Sequence, residues 1–296
     1  MNNLQLIEKV LYYVEEHLEE EITYEHLAEV FGYSPFHFHR LFSAAVGQTV
    51  TDYLKKRRLA HACVELQETD AKITDICYGC GFNSIQTFNR MFKDVYGMLP
   101  TDARKQKNKL SCKSVETILE GYKKRVPFKG DFVSEPKFVE RDSFILAGPR
   151  KHTGQGFQVI GESWQELKAK MGTIDRMNPN NMYGFEDYSE DFTKEPLQFY
   201  YMAAVEIKDE TDIPADWYVK RIPKAQYAVF TVNGNNAKGE IGKAFHYIYH
   251  EWMPNSEYCL CGDMLFDFEY YDERWDCQLG AAQMEIYIPV MKMRVG

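Results

Sequence analysis

No apolar run in this chain approaches the roughly twenty residues a membrane span needs. Met1 is followed by NNLQLIEK, which is neither a signal nor a transit peptide. These absences predict a soluble, cytoplasmic protein. There is also no Walker loop, no GxSxG elbow, no HExxH pair and no GxGxxG after a strand pattern, so the common nucleotide, esterase, zinc-protease and dinucleotide chemistries have no handle here. The seven cysteines are odd in number, and in a cytosolic protein they are expected to be reduced. An excess of positive charge is missing too. The net charge of −9 argues, on the total alone, against a nucleic-acid partner.

The distribution answers the total. Acidic residues crowd Glu15, Glu16, Glu19, Glu20 and Glu21, whereas Arg40, Lys55, Lys56, Arg57, Arg58, Arg90, Lys93, Arg104, Lys105 and Lys107 fall in or beside a repeated unit. A local basic face is what neutralises phosphates. The unit reads GYSPFHFHRLFSAAVG from Gly32 to Gly47 and returns as GFNSIQTFNRMFKDVYG from Gly81 to Gly97, a period of roughly fifty residues that suits a duplicated supersecondary element. Ser34 is placed to cap a helix with Pro35 at its first position. Phe38, Leu41, Phe42 and Ala45 recur at helical spacing as its buried face, which leaves Phe36, His39 and Arg40 pointing elsewhere. Ahead of the unit, Leu4, Ile7, Val10, Leu11, Val14 and Leu18 form the stripe of a packing helix, and YEHLAEVF gives a short helix before the turn. A long helix over 51–67 separates the two copies as a spacer. Pro100 closes the second.

At 296 residues the chain predicts two domains or more. Residues 4–104 resemble the DNA-binding domain of the AraC/XylS family, two helix-turn-helix units joined by one long helix, with its signature present as Gly81, Phe82, Phe88, Phe92, Lys93, Gly97 and Pro100. Leu99 and Ala103 depart from that pattern at packing positions. The resemblance implies that the exposed residues early in each second helix face the major groove: Phe36, His39 and Arg40 in the first unit, Ile85, Gln86, Thr87 and Arg90 in the second. Their chemistry suits base edges, since Arg pairs with guanine, Gln with adenine, and Phe or Ile meets a thymine methyl. Both helices docked on one duplex would lie about one helical turn apart. The charge of His39 near neutral pH would make the first contact pH-sensitive.

Several metal-like patterns read as structural. His37 and His39 do not share a helix face. Cys77 and Cys80 have CxxC spacing without a second ligand pair, and they stand where Ala28 and Phe31 stand in the first unit, as a buried pair. His246 and His250 lack a third ligand. No metal and no cofactor is expected.

Residues 108–130 change to a basic composition and read as a linker, with a short helix near 115–122. Beyond Pro136 strands alternate with helices: strand pairs at 137–152 and 218–232, helices at 159–171 and 238–252, and strands at 182–188, 197–207, 264–271 and 283–289. Echoes such as YGFEDYSEDF against FDFEYYDERW predict a βαββ-type unit used twice. This gives a multidomain chain: an all-α double helix-turn-helix domain at 1–107, a basic linker at 108–130 and an α+β domain at 131–296. The last domain resembles the GyrI-like effector-binding domain of multidrug-responsive regulators through EWMPNSEY, FDFEYYDERW and MEIYIPV, with Ser256, Glu257 and Tyr258 departing from its usual turn.

That resemblance puts Glu269 in the place of a pocket carboxylate, costly to bury alone and favourable once a cation pairs with it. Candidate walls are Trp164, Tyr183, Phe185, Tyr201, Tyr271 and Tyr287, whose faces attract cations. The expected protein is a non-enzymatic transcription regulator whose partners are double-stranded promoter DNA and a small aromatic or cationic effector, with room for RNA polymerase and no membrane. Two alternatives stay open for the second domain: a hydrolase using Glu269 with a tyrosine hydroxyl as acid or base, and a module that sequesters drugs.

Overall fold

The computed structural model describes residues 3–106, 115–123, 131–190, 192–193, 197–234, 236–275 and 282–293. Two compact units divide the chain, Met1–Val126 and Pro127–Gly296. Among the described residues no helix is long and apolar enough to cross a membrane.

The first unit is helical: α1 (Asn3–Glu16), α2 (Tyr24–Phe31), α3 (Pro35–Val46), α4 (Val50–Glu68), α5 (Ile73–Gly79), α6 (Ile85–Tyr96), α7 (Pro100–Lys105) and α8 (Val115–Lys123). Its starts are written in the sequence. Thr23, Ser34, Thr49 and Ser84 each accept the backbone N–H three residues on, satisfying a donor the helix itself cannot. Gly32 ends α2 at φ 73°, a left-handed conformation that a Cβ would strain.

Two cores result. The first joins α1, α2, α3 and the start of α4, and the second joins the rest of α4 with α5, α6 and α7. Helix α4 supplies Val50, Tyr53 and Leu54 to one and Leu59, Ala62, Cys63 and Leu66 to the other, so it is a wall shared by both cores of the first unit. Glu15 fixes it to α1, accepting 2.6 Å bonds from both Nε and Nη2 of Arg57 and a 3.3 Å bond from the Tyr53 hydroxyl. Arg58 donates to the carbonyls of Leu18 and Glu20. Arg57 and Arg58, expected to serve phosphates, are thus committed inside the unit. Part of the expected linker is a packed helix: Val115 and Leu119 of α8 are buried in the first core. The rest of 107–130 lies outside the described residues.

The second unit holds an antiparallel sheet of β1 (Lys137–Arg141), β2 (Phe144–Gly148), β3 (Arg150–His152), β4 (Met182–Asp187), β5 (Tyr200–Ile207), β6 (Tyr218–Ile222), β7 (Ala225–Asn233), β8 (Tyr258–Leu260), β9 (Phe266–Tyr271) and β10 (Gln283–Lys292). The main order is β1-β7-β10-β9-β4-β5-β2-β6, with β3 on β5 and β8 on β10. Neither half of this order is one continuous segment, because β1 pairs with β7 and β6 with β2. Helix α9 (Gln158–Lys170) packs on β5, where Ser163 Oγ accepts the N–H of Ala203 and donates to the Pro149 carbonyl. Helix α10 (Glu240–Tyr247) continues into a π turn, Ile248–Trp252.

Strand periodicity then sorts the side chains. Successive residues of a strand face opposite ways, so Asp267, Glu269 and Tyr271 share one face of β9, and Phe266, Phe268 and Tyr270 the other. The register sets Glu186 against Asp267 and Gly184 against Glu269 across the central β4–β9 pair.

Candidate functional site

The two reading helices differ in what they leave at the surface. In α6 the buried residues are Phe88 and Phe92, while Gln86, Thr87 and Arg90 are exposed and Ile85 is half-buried. In α3, Phe36 is 3% exposed and His39 is 6% exposed, so the expectation that both lie open is corrected. Apolar and ring contacts hold them. The His39 ring meets Tyr24 edge-on at 5.7 Å, and the half-buried Arg40 guanidinium lies 5.5 Å from the Phe36 ring centre. Burial, then the neighbouring Arg40 charge, lowers the His39 pKa against an opposing pull from Glu25. Burial and the Arg40 charge thus favour the neutral imidazole, which weakens the case for a charged His39 at the first contact. His37, fully enclosed, is pushed down to about 3 by burial and stacks on Tyr33 at 5.1 Å. It is a core residue.

In the second unit four of the seven predicted pocket residues come together. Glu269, 5% exposed, accepts on Oε2 from the hydroxyls of Tyr201 at 2.8 Å and Tyr271 at 2.9 Å. The Trp164 indole of α9 donates to the Tyr201 hydroxyl at 2.9 Å and meets the Tyr271 ring edge-on at 5.3 Å. Room for this comes from Gly184. A Cβ there would sit 2.2 Å from both Glu269 Oε2 and the Tyr201 hydroxyl.

Tyr183, Phe185 and Tyr287 lie elsewhere, a correction that follows from the pleat. Tyr183 and Phe185 alternate with Gly184 and Glu186 along β4 and belong to an aromatic core on the opposite face, together with Phe268, and Tyr287 packs against it. Arg141 is the charge at that core. Its guanidinium stands 3.8 Å from the Phe144 ring centre and donates to the Tyr183 hydroxyl at 2.7 Å and to Glu206 at 2.8 Å. A groove of about 520 Å³ near it, lined by Phe144, Glu206, Lys208 and Arg221 among others, shares no residue with the Glu269 cluster.

Glu269 has acidic company that sequence reasoning missed. Glu186 and Asp267 are buried on the same face. Tyr188 donates to Glu186 and, at 3.3 Å, to Asp267, and Tyr249 in the π turn also donates to Asp267. Burial raises Glu186 well above the usual carboxylate range, with Asp267 and Glu269 adding repulsion. Burial lifts Glu269 to about 7; the Tyr201 and Tyr271 hydrogen bonds oppose the rise and Asp267 reinforces it. No basic side chain is among the described groups acting on Glu269. The signal for Asp267 was its spacing two residues before Glu269 on a strand; for Glu186 it was the echo of GFED in FDFE.

Comparison with known proteins agrees with both units. Residues 27–106 match the family described as helix-turn-helix domain, and residues 137–290, just over half of the chain, match the integron-associated effector binding protein family. The chain belongs to the AraC-type regulators with a GyrI-like effector-binding domain. Regulatory protein SoxS of Escherichia coli (strain K12) is 34% identical over 104 residues, 35% of this chain and 97% of that protein. The uncharacterised HTH-type transcriptional regulator YbfP of Bacillus subtilis (strain 168) is 38% identical over 114 residues, covering 38% of this chain but only 39% of YbfP. The Escherichia coli (strain K12) right origin-binding protein aligns more widely, at 26% identity over 249 residues, 79% of this chain and 80% of that one. In this AraC-type chain, α3 and α6 are the second helices of the paired units, and the Glu269 cluster lies in the effector-binding domain.

Proposed function

We propose that the chain regulates transcription by binding promoter DNA with α6 as the leading reading helix, and that its second unit binds a small aromatic cation at Glu269, Glu186 and Asp267. The observation that carries the effector reading is three carboxylates buried together beside tyrosine hydroxyls, with no basic side chain among the described groups acting on Glu269. Burial is costly for an ionised carboxylate and raises both Glu186 and Glu269, so each favours its protonated form until a cation takes over that role. Trp164 and Trp275, both half-buried and each edge-on to Tyr271, give the cation an aromatic approach. Gln86, Thr87 and Arg90 of α6 meet base edges with Ile85 beside them, Arg40 of α3 serves the other half of the site, and the effector acts on transcription through different affinities for two states of the protein. RNA polymerase is a further partner of a regulator of this kind, and the effector is released unchanged.

Three measurements test this. Glu269→Gln should weaken binding of a hydrophobic aromatic cation at least about tenfold, the equivalent of about 1.4 kcal/mol, while a neutral analogue binds both proteins alike. Equal cation binding by the variant would remove Glu269 from the site. Arg90→Ala should weaken specific promoter binding by about 1–3 kcal/mol if it reads a base; an unchanged footprint would reject α6 as the leading helix. Mass spectrometry of the bound compound after incubation should show it intact, and a product would overturn the non-enzymatic reading.

A further inference from the structure

Away from both sites, three residues of three ligand types converge where the spacer helix meets the second helix-turn-helix unit. His61 and Glu65 are one turn apart on α4, and Cys80 follows the last residue of α5. One ligand atom from each lies within 4.8 Å of the other two. The His61 Nδ1 to Glu65 separation is 3.6 Å. A tetrahedral ion with zinc-like bond lengths holds neighbouring ligand atoms roughly 3.3–3.8 Å apart, so that edge already fits. The thiol is buried and fixed by the core it belongs to, whereas His61 and Glu65 are on the solvent side and can close the remaining gap.

We infer that Cys80, Glu65 and His61 form a binding site for a divalent transition metal of the zinc class, joining α4 to the turn that leads into α6. Thiolate, imidazole and carboxylate together are a donor set that zinc accepts. Charge balances, because one thiolate and one carboxylate neutralise the dication; the thiol proton leaves to solvent on coordination. Burial, the leading influence, raises the Cys80 thiol, so coordination has to displace its proton; the charges of Glu65 and Glu19 attract an arriving cation while the Arg58 guanidinium, held by the carbonyls of Leu18 and Glu20, opposes it. A water fills the fourth position. The sequence hid this site, since His61 and Glu65 lie far from Cys80 along the chain and the CxxC spacing pointed to Cys77 instead.

The test uses the full-length reduced protein titrated with Co²⁺ and then with Zn²⁺. The expected result is a near-ultraviolet cobalt–thiolate charge-transfer band that saturates at one equivalent and is displaced by Zn²⁺. Cys80→Ser should abolish the band. His61→Ala, a change at an exposed position that leaves the fold intact, should lower Co²⁺ affinity at least about tenfold, the lower end of what losing even a supporting partner costs. No band in the parent protein, a band that persists in Cys80→Ser, or unaltered affinity in His61→Ala would each overturn the proposal.

Discussion

The two faces of the second unit's sheet carry charge in opposite ways. On one face Arg141 is matched: Glu206 takes its charge, Tyr183 links the two, and aromatic rings pack over the guanidinium. On the other, Glu186, Asp267 and Glu269 are buried together with hydroxyl donors. A matched pair is complete as it stands and serves the fold. A buried Glu269 whose described neighbours include no base favours protonation or the arrival of a cation. The same strands, β4, β5 and β9, supply both, so the pleat itself separates architecture from binding.

The largest expected effect tests the matched face. Arg141→Ala removes the partner of Glu206 and the packing over Phe144, and should lower unfolding free energy by about 2–4 kcal/mol. The figure sits below that for a fully buried pair because 23% and 20% of the two side chains still meet solvent. All four tryptophans, Trp164, Trp217, Trp252 and Trp275, belong to the second unit, so urea unfolding followed by tryptophan fluorescence reports on it. Cation affinity of the folded protein should be unchanged. A loss of affinity together with stability would erase the division between faces.

The acidic face should show itself in pH dependence. Glu269 rises from 4.5 to about 7 on folding, so between these values the folded state keeps a proton that the unfolded state releases. The contribution of this group to stability is therefore most favourable below about 4.5 and falls as pH climbs to about 7, by on the order of 3 kcal/mol, with Glu186 acting in the same direction. Glu269→Gln should flatten that part of the profile and be the more stable protein on the alkaline side. A parallel profile for both proteins would mean that Glu269 is already ionised in the folded chain.

How much of this was legible in the sequence depends on whether the deciding information was local. Helix starts at Ser34 and Ser84, the turn at Gly32 and the duplicated unit are written in neighbouring residues, and the structure has them. Glu269 and its partners Trp164, Tyr201 and Tyr271 were named in advance, but Tyr183, Phe185 and Tyr287 were grouped with them because an aromatic on a strand does not declare its face. Register decides that, and register is set across strands far apart in the chain. The same limit hid Glu186 opposite Asp267. In the first unit, Phe36 and His39 followed a helical pattern that predicts exposure, and tertiary packing buried them.

The smallest effect gives the sharpest comparison, because it exchanges one hydroxyl on each face. Tyr201→Phe removes a donor to Glu269 and the acceptor for the Trp164 N–H, and Tyr183→Phe removes the link between Arg141 and Glu206. Each should cost about 1–2 kcal/mol of stability, the range for leaving a buried partner unmet. Only the first should reach the ligand. The Tyr201 hydrogen bond lowers the Glu269 pKa, so its removal lets burial raise that pKa further, and the ionised form that pairs with a cation is reached only at higher pH. Cation affinity measured against pH should accordingly rise through a midpoint near 7 in the parent protein, through a higher midpoint in Tyr201→Phe, and through the parent's own midpoint in Tyr183→Phe. Equal shifts in both variants would show that the sheet transmits rather than separates the two faces. No shift in either would mean that Glu269 is not the group whose ionisation admits the cation.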